Sequence, residues 1–180
     1  MKTRKESNEV HYPEDLIVCF TDQDLESLKE GADSNPRKRI RLCSHPSPAD
    51  ALHEMLIVLK KGACILPHRH PNKSESIHCI EGEADLVLFT DEGEITRILS
   101  LGQPGPGRIM YCRMNTTAYH ALLIRSDFFI FHETTNGPFR NGDTHFAPWC
   151  PAISDPESCR RYLEHLEKSI DCFSKEKMED

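Results

Sequence analysis

Two histidines one residue apart, His68 and His70, are the residues of this 180-residue chain best suited to chemistry, and Glu75 follows them closely. In a β-strand, residues i and i+2 point to the same face, so the two imidazoles would project together as a chelate. Residues 71–74 (Pro-Asn-Lys-Ser) have the composition of a turn, after which a strand beginning at Glu75 can return beside the first. Two neutral imidazoles and one carboxylate suit one divalent transition metal, and the residues leave zinc, iron, manganese and nickel open.

The wider spacing over residues 62–82 is Gly-x5-His-x-His-x4-Glu-x6-Gly, which resembles the first signature motif of the cupin superfamily at every fixed position. This resemblance implies a mainly β fold, a single small antiparallel β-barrel or jelly roll, and a histidine further along as a fourth metal ligand. His120 is the candidate for that ligand. The family's usual Pro-x-Gly-x-x-His is altered here, because Asn115 and Thr117 occupy its proline and glycine positions.

A second resemblance lies within residues 131–151, where Glu-x3-Gly-Pro-Phe is followed by Phe-Ala-x-Trp-x-Pro. This pairing looks like the ending of the WbuC-type cupin fold metalloproteins, and the upstream Arg39-x-Arg41 is similar to that family too. The family usually carries an Asn before a His in the upstream stretch; here His45 stands in that vicinity, but Cys43 replaces the Asn. WbuC-type proteins are associated with bacterial O-antigen and surface-polysaccharide gene clusters, so the resemblance implies bacterial polysaccharide biosynthesis by association alone.

Five further residues could act on a substrate. Glu133 has the strand context to face inward and is a candidate general base if burial raises its pKa; a structural carboxylate is the alternative. Trp149 and Phe139 could form an apolar wall against a sugar ring, although Trp149 could equally plug the end of the barrel. Arg108 and Arg140 are either partners for an anionic substrate or ordinary surface residues.

The elements that must position these residues are short strands. Residues 51–151 show apolar or alternating segments separated by turn signals, which is the pattern of a β-barrel. The resemblance to cupins implies that residues 51–151 are the cupin barrel and hold the metal site. Residues 1–50 are predicted to be an N-terminal extension packed on the barrel. It would hold a strand at 16–20 and a helix at 22–30 that Gly31 ends.

Residues 152–180 are predicted to form a C-terminal helix and a loose tail. Ser154 is the expected capping residue, and the helix itself is predicted over residues 157–174. A helix this short needs tertiary burial, and we expect it to pack on the outside of its own barrel. Its apolar stripe at helical spacing consists of Tyr162, Leu163, Leu166, Ile170 and Phe173.

Composition narrows the class of protein. The net charge of −7 argues against general nucleic-acid binding. The basic run at 36–41 is either a solvated strand or a rim that receives an anionic ligand. Neither a signal peptide nor an apolar stretch long enough to span a membrane is present, so we expect a cytoplasmic protein whose eight cysteines are reduced.

These observations lead to three hypotheses about function. The first is a metalloenzyme that isomerises, epimerises or hydrolyses a small polar metabolite such as a sugar or nucleotide-sugar. The second is an Fe(II)-dependent oxygenase, and the third is a non-catalytic metal-binding or ligand-binding module. The expected partners are a small-molecule ligand and, because cupins commonly pair sheet to sheet, a second copy in a homodimer.

Overall fold

The computed structural model describes residues 2–152 and 155–179 and contains twelve strands and two helices within them. Strands dominate the fold, as predicted. Their bounds, with those of the helices, are β1 Thr3–Lys5, β2 Val10–Pro13, α1 Asp22–Ser34, β3 Arg39–Cys43, β4 Leu52–Lys60, β5 Ile65–Arg69, β6 Glu75–Glu81, β7 Glu83–Phe89, β8 Ile95–Gly102, β9 Tyr111–Met114, β10 Tyr119–Ile124, β11 Phe128–Asn136, β12 His145–Phe146 and α2 Pro156–Glu179.

The strands form two sheets that are antiparallel except where β2 pairs with β3. The larger sheet has the order β1-β2-β3-β4-β11-β6-β9, and the smaller has the order β12-β5-β10-β7-β8. The mainly β prediction is confirmed, whereas the single closed barrel is not. Among the described residues no hydrogen-bonded ladder joins the two sheets, and only an isolated bridge between Leu101 and Ile109 links β8 to the chain before β9.

The main hydrophobic core lies between the inner faces of the two sheets. Ile77 and Phe129 reach it from the larger sheet, and Leu86 and Leu122 reach it from the smaller one. Side chains alternate between the two faces of a strand, so each of these strands presents an apolar row to the core. This packing leaves the polar residues of the same strands to one end of the space between the sheets.

Helix α1 covers the outer face of the larger sheet. Thr21 caps it, because the Thr21 hydroxyl accepts from the Asp24 N–H and the Asp24 carboxylate accepts from the Thr21 N–H. The helix was predicted to end at Gly31 but continues to Ser34, because Ala32 is fully buried against β3 and β4. The strand predicted at 16–20 is absent: no strand of the structure lies there, and Leu16 is fully exposed.

Helix α2 confirms the predicted C-terminal helix and extends beyond it at both ends, so the tail that was predicted to be loose after residue 174 is helical as far as Glu179. The predicted cap, Ser154, lies outside the described residues. Leu166 and Ile170 are buried against the outer face of the smaller sheet, while Leu163 and Phe173 are half-buried. The helix therefore packs on its own chain, as expected. No described helix is long and apolar enough to cross a membrane.

The domain boundaries at residues 50 and 151 stay predictions. Strand β3, from the predicted extension, pairs with β4 over five residues and continues the same sheet. Residues 1–50 thus contribute a strand to the larger sheet.

Candidate metal centre

Three histidines meet at one end of the space between the sheets. His68 on β5 and His120 on β10 are directly opposite each other in the antiparallel ladder, which brings their ring centroids to 4.5 Å. His70 follows the last residue of β5, and its ring centroid lies 5.0 Å from that of His68. One ring nitrogen from each of the three lies within 4.8 Å of the others. The group is therefore compact enough to hold one metal ion.

Backbone carbonyls orient all three rings. The Nδ1 atom of His68 lies 2.7 Å from the Leu66 oxygen, that of His70 lies 3.0 Å from the Asp143 oxygen, and that of His120 lies 3.3 Å from the Ala118 oxygen. Because a carbonyl can only accept, each Nδ1 carries the proton, and Nε2 is left to face the common centre. This second hydrogen bond is how metal-binding histidines are usually fixed in proteins.

Glu75 reaches the same centre from the opposite sheet, at the start of β6. Its Oε2 atom lies 3.4 Å from Nε2 of His120 and 3.8 Å from Nε2 of His70. Oε2 of Glu75 and Nε2 of His120 are buried and have no hydrogen-bond partner among the described residues. Such atoms are costly unless something satisfies them, so this pair is an observation in favour of a bound cation.

The pKa values of these groups show a site that attracts positive charge. Burial raises the pKa of Glu75, but His120 and then His68 outweigh burial and hold it at about 2. Burial lowers the pKa of His120, but the Glu75 carboxylate more than offsets this and leaves it above its ordinary value. Burial, and then His120, lowers the pKa of His68 to about 4. A neutral His68 and an ionised Glu75 are the protonation states that a metal requires.

Glu133 lies beside Glu75 on the neighbouring strand β11, where its backbone pairs with Ile77. Burial raises the pKa of Glu133 well above its ordinary value, and the charge of Glu75 adds to the rise. Two adjacent buried carboxyl groups cannot both ionise easily, so one of them keeps its proton. Glu133 thus holds a proton next to the histidine cluster.

A cavity of about 570 Å³ opens from this centre towards the N-terminal strands. Its volume is in the range of small-molecule sites. Phe139, which is half exposed, stands at its edge beside Lys73. The cavity is also lined by the residues of the histidine centre, by Glu133, and by residues in or next to β2 and β3, namely Glu9, Tyr12, Arg37, Arg39, Arg41 and Cys43.

Of the residues proposed from the sequence, the structure brings six to this cavity: His68, His70, Glu75, His120, Glu133 and Phe139. It places three elsewhere. Trp149 packs against Phe89 and Tyr119 on the outer face of the smaller sheet, and its Nε1 donates to the Asp91 carbonyl. Arg108 pairs with Glu83 at 2.5 Å. Arg140 is exposed and does not line the cavity.

Several residues at the site were not proposed as site residues from the sequence. Asp143 supplies the carbonyl that orients His70, and its carboxylate binds Lys73 at 2.9 Å. His45 and His53 stack with their centroids 4.0 Å apart in the wall of the cavity. One sequence signal for this wall was the basic run at 36–41, for which an anion-binding rim was one of two interpretations.

A family model described as a domain of unknown function (DUF6016) matches residues 20–101. The match covers less than half of the chain and includes His68, His70 and Glu75 but neither His120 nor Glu133. A search of curated proteins found no match.

Solved structures resemble the chain only distantly. Protein SO0799 from Shewanella oneidensis is 15% identical with a TM-score of 0.47, and the match covers 57% of this chain and 66% of that one. Oxalate decarboxylase from Bacillus subtilis is 18% identical with a TM-score of 0.46, covering 60% and 27%. Procruciferin, an 11S globulin from Brassica napus, is 17% identical with a TM-score of 0.40, covering 49% and 21%. The chain thus spans less than two thirds of each of these proteins.

Proposed function

We propose that this chain is a metal-dependent enzyme that acts on a small polar metabolite in the cavity between its sheets. The observation that carries the proposal is the convergence of three imidazoles within 4.8 Å, each oriented through Nδ1, beside a buried carboxylate oxygen without a partner. A structural site would be closed on all sides, whereas this one borders a cavity of about 570 Å³. The open side is where a substrate would enter.

In this proposal His68, His70, His120 and Glu75 hold one divalent metal ion. When bound, such an ion supplies Lewis-acid chemistry to an oxygen-bearing ligand. Glu133 does not bind the metal; it keeps a proton at its carboxyl group, one strand away from Glu75. A buried carboxyl group whose pKa is raised can both donate and accept a proton, so Glu133 is the acid and base of the site.

The nature of the substrate is a narrower part of the proposal. A sugar or nucleotide-sugar, and a role in surface-polysaccharide biosynthesis, follow from the resemblance to WbuC-type proteins alone. The apolar wall proposed for a sugar ring is reduced to Phe139, since Trp149 lies on the other side of the smaller sheet. The cytoplasmic location and the homodimer stay predictions.

The decisive experiment is elemental analysis of the full chain purified without a metal-affinity tag and without chelator. We expect about one transition-metal ion per chain in the wild type and a large loss in His68→Ala and His120→Ala. His132→Ala is the matched control, because His132 is a partly exposed histidine on β11 that does not line the cavity. Wild-type protein without stoichiometric metal, or equal metal in all variants, would contradict the proposal. An iron requirement together with loss of activity under anaerobic conditions would identify the oxygenase alternative.

A further inference from the structure

Strand β3 carries an arginine into the wall of the cavity. Ile40 and Leu42 point outward and are buried beneath α1, so the alternating residues Arg39, Arg41 and Cys43 face the other way. All three line the cavity. Glu133 lies on β11 of the same sheet, and the cavity wall therefore extends from β11 across β4 to β3.

Acidic side chains already bind most of the cations in this cavity. Glu9 binds Arg39 at 2.7 Å and Arg37 at 3.4 Å. On the opposite side, Asp143 binds Lys73 at 2.9 Å. Two guanidinium groups thus share the carboxylate of Glu9, and the ammonium group of Lys73 has a carboxylate of its own.

Arg41 is different, because its guanidinium has no ion pair or hydrogen bond within the part of the chain that the structure describes. Its side chain is exposed and lines the cavity. Arg41 pairs with Ile57 on β4, and Ile57 pairs with Phe131 on β11, two residues before Glu133. Two strand spacings of about 4.8 Å thus separate β3 from β11, a distance that a small metabolite can bridge.

The charge of Arg41 acts on groups lining the cavity. Burial raises the pKa of Cys43, and Arg41 opposes that rise. Burial and Glu75 raise the pKa of Glu133, and Arg41 opposes that rise as well. The guanidinium therefore contributes positive potential to the space between β3 and the histidine centre.

We propose that Arg41 determines specificity for an anionic substrate, binding a carboxylate or phosphate group at the cavity wall while the rest of the molecule reaches the histidine centre. This inference rests on the proposed function, because the second point of attachment is the metal site. A guanidinium offers a planar fork of N–H donors that matches two oxygens of either group, and no acidic side chain competes for it among the described residues. The substrate is thus an acid with a metal-binding oxygen some distance from its anionic group.

The test is calorimetric titration of the metal-loaded full chain with two probes, succinate and glycerol 3-phosphate, and with neutral 1,4-butanediol. Arg41→Gln removes the charge and Arg41→Lys keeps the charge but loses the fork. Arg97→Gln is the matched control, because Arg97 is exposed on β8 and does not line the cavity. The metal content and melting temperature of every variant are measured first.

We expect at least one of the two acids to bind the wild type, and butanediol not to bind. Binding should weaken about tenfold or more in Arg41→Gln, less in Arg41→Lys, and not at all in Arg97→Gln. Succinate alone would identify a carboxylate, and glycerol 3-phosphate alone would identify a phosphate. Failure of both acids to bind the metal-loaded wild type, or equal affinity in Arg41→Gln, would overturn the inference. Absence of metal from the wild type would instead contradict the proposed function.

Discussion

Metal removal should lower the melting temperature of this protein without unfolding its sheets, and His70→Ala should abolish the effect of metal. The site forms only when β5, β6 and β10 are assembled, so an ion bound there stabilises the folded state alone. The sheets do not depend on it, because Leu86 and Phe129 are fully buried in a core that the histidines do not join. Chelation should therefore leave the protein folded but less stable.

The magnitude follows from ligand linkage. A metal at a free concentration of about 100 times its Kd adds about 2.7 kcal/mol to the free energy of unfolding. In a domain of this size, about 1 kcal/mol changes the melting temperature by about 2–4 °C, so chelation should lower it by about 5–10 °C. In metal-free protein, His70→Ala should lower the melting temperature by less than chelation lowers that of the wild type. The reason is that the His70 side chain is partly exposed, at 19%, and lies at the edge of the core.

The assay is thermal unfolding followed by far-ultraviolet circular dichroism, with and without metal, for the wild type and two variants. His78→Ala is the matched control, because His78 is an exposed histidine on β6 whose ring packs near Tyr111. It should respond to metal as the wild type does, and His70→Ala should not respond.

Two results would refute this reasoning. Identical melting temperatures for metal-loaded and chelated wild type would show that no ion is bound to the folded state. A random-coil spectrum after chelation would show that the metal is required for folding, and that the core between the sheets is weaker than its burial indicates.

Three further predictions concern other parts of the molecule. Leu166 on α2 is 3% exposed, so Leu166→Ala should lower the free energy of unfolding in urea by about 2–5 kcal/mol and leave the metal content unchanged. An unchanged urea midpoint would show that the packing of α2 contributes little to stability. Gly82→Ala should lower the free energy of unfolding by about 1–3 kcal/mol more than Gly107→Ala does. Both glycines have a positive φ, but only at Gly82 would an added Cβ lie 2.0 Å from a backbone atom, the Phe128 carbonyl oxygen. Equal losses in urea unfolding would contradict this. Burial lowers the pKa of His45, so below pH 6.5 the unfolded state binds a proton more readily than the folded state, and the free energy of unfolding should fall as the pH drops. Urea unfolding of metal-free protein at several pH values measures this dependence, and His45→Asn should make it less steep. An unchanged pH dependence in His45→Asn would refute the role of His45.

The amino-acid sequence alone identified the histidine pair, Glu75 and the C-terminal helix, because each depends on local spacing. A period of two along a strand and a turn at residues 71–74 are enough to group His68, His70 and Glu75. A capped start and apolar residues at helical spacing are enough to predict α2. The end of α1 was misjudged at Gly31 because burial of Ala32 against β3 and β4, a tertiary contact, outweighs the weak helix propensity of glycine.

The tertiary structure alone determined which side chains share the cavity. Glu133 meets Glu75 because β11 pairs with β6 in one register, and Arg41 joins their wall because β3 adds to the same sheet. Trp149 is on the outer face of the smaller sheet, under contacts from Phe89 and Tyr119 that no local pattern specifies. Strand order and register arise from contacts between residues far apart in the chain, and a one-residue change of register would turn each of these side chains to the opposite face.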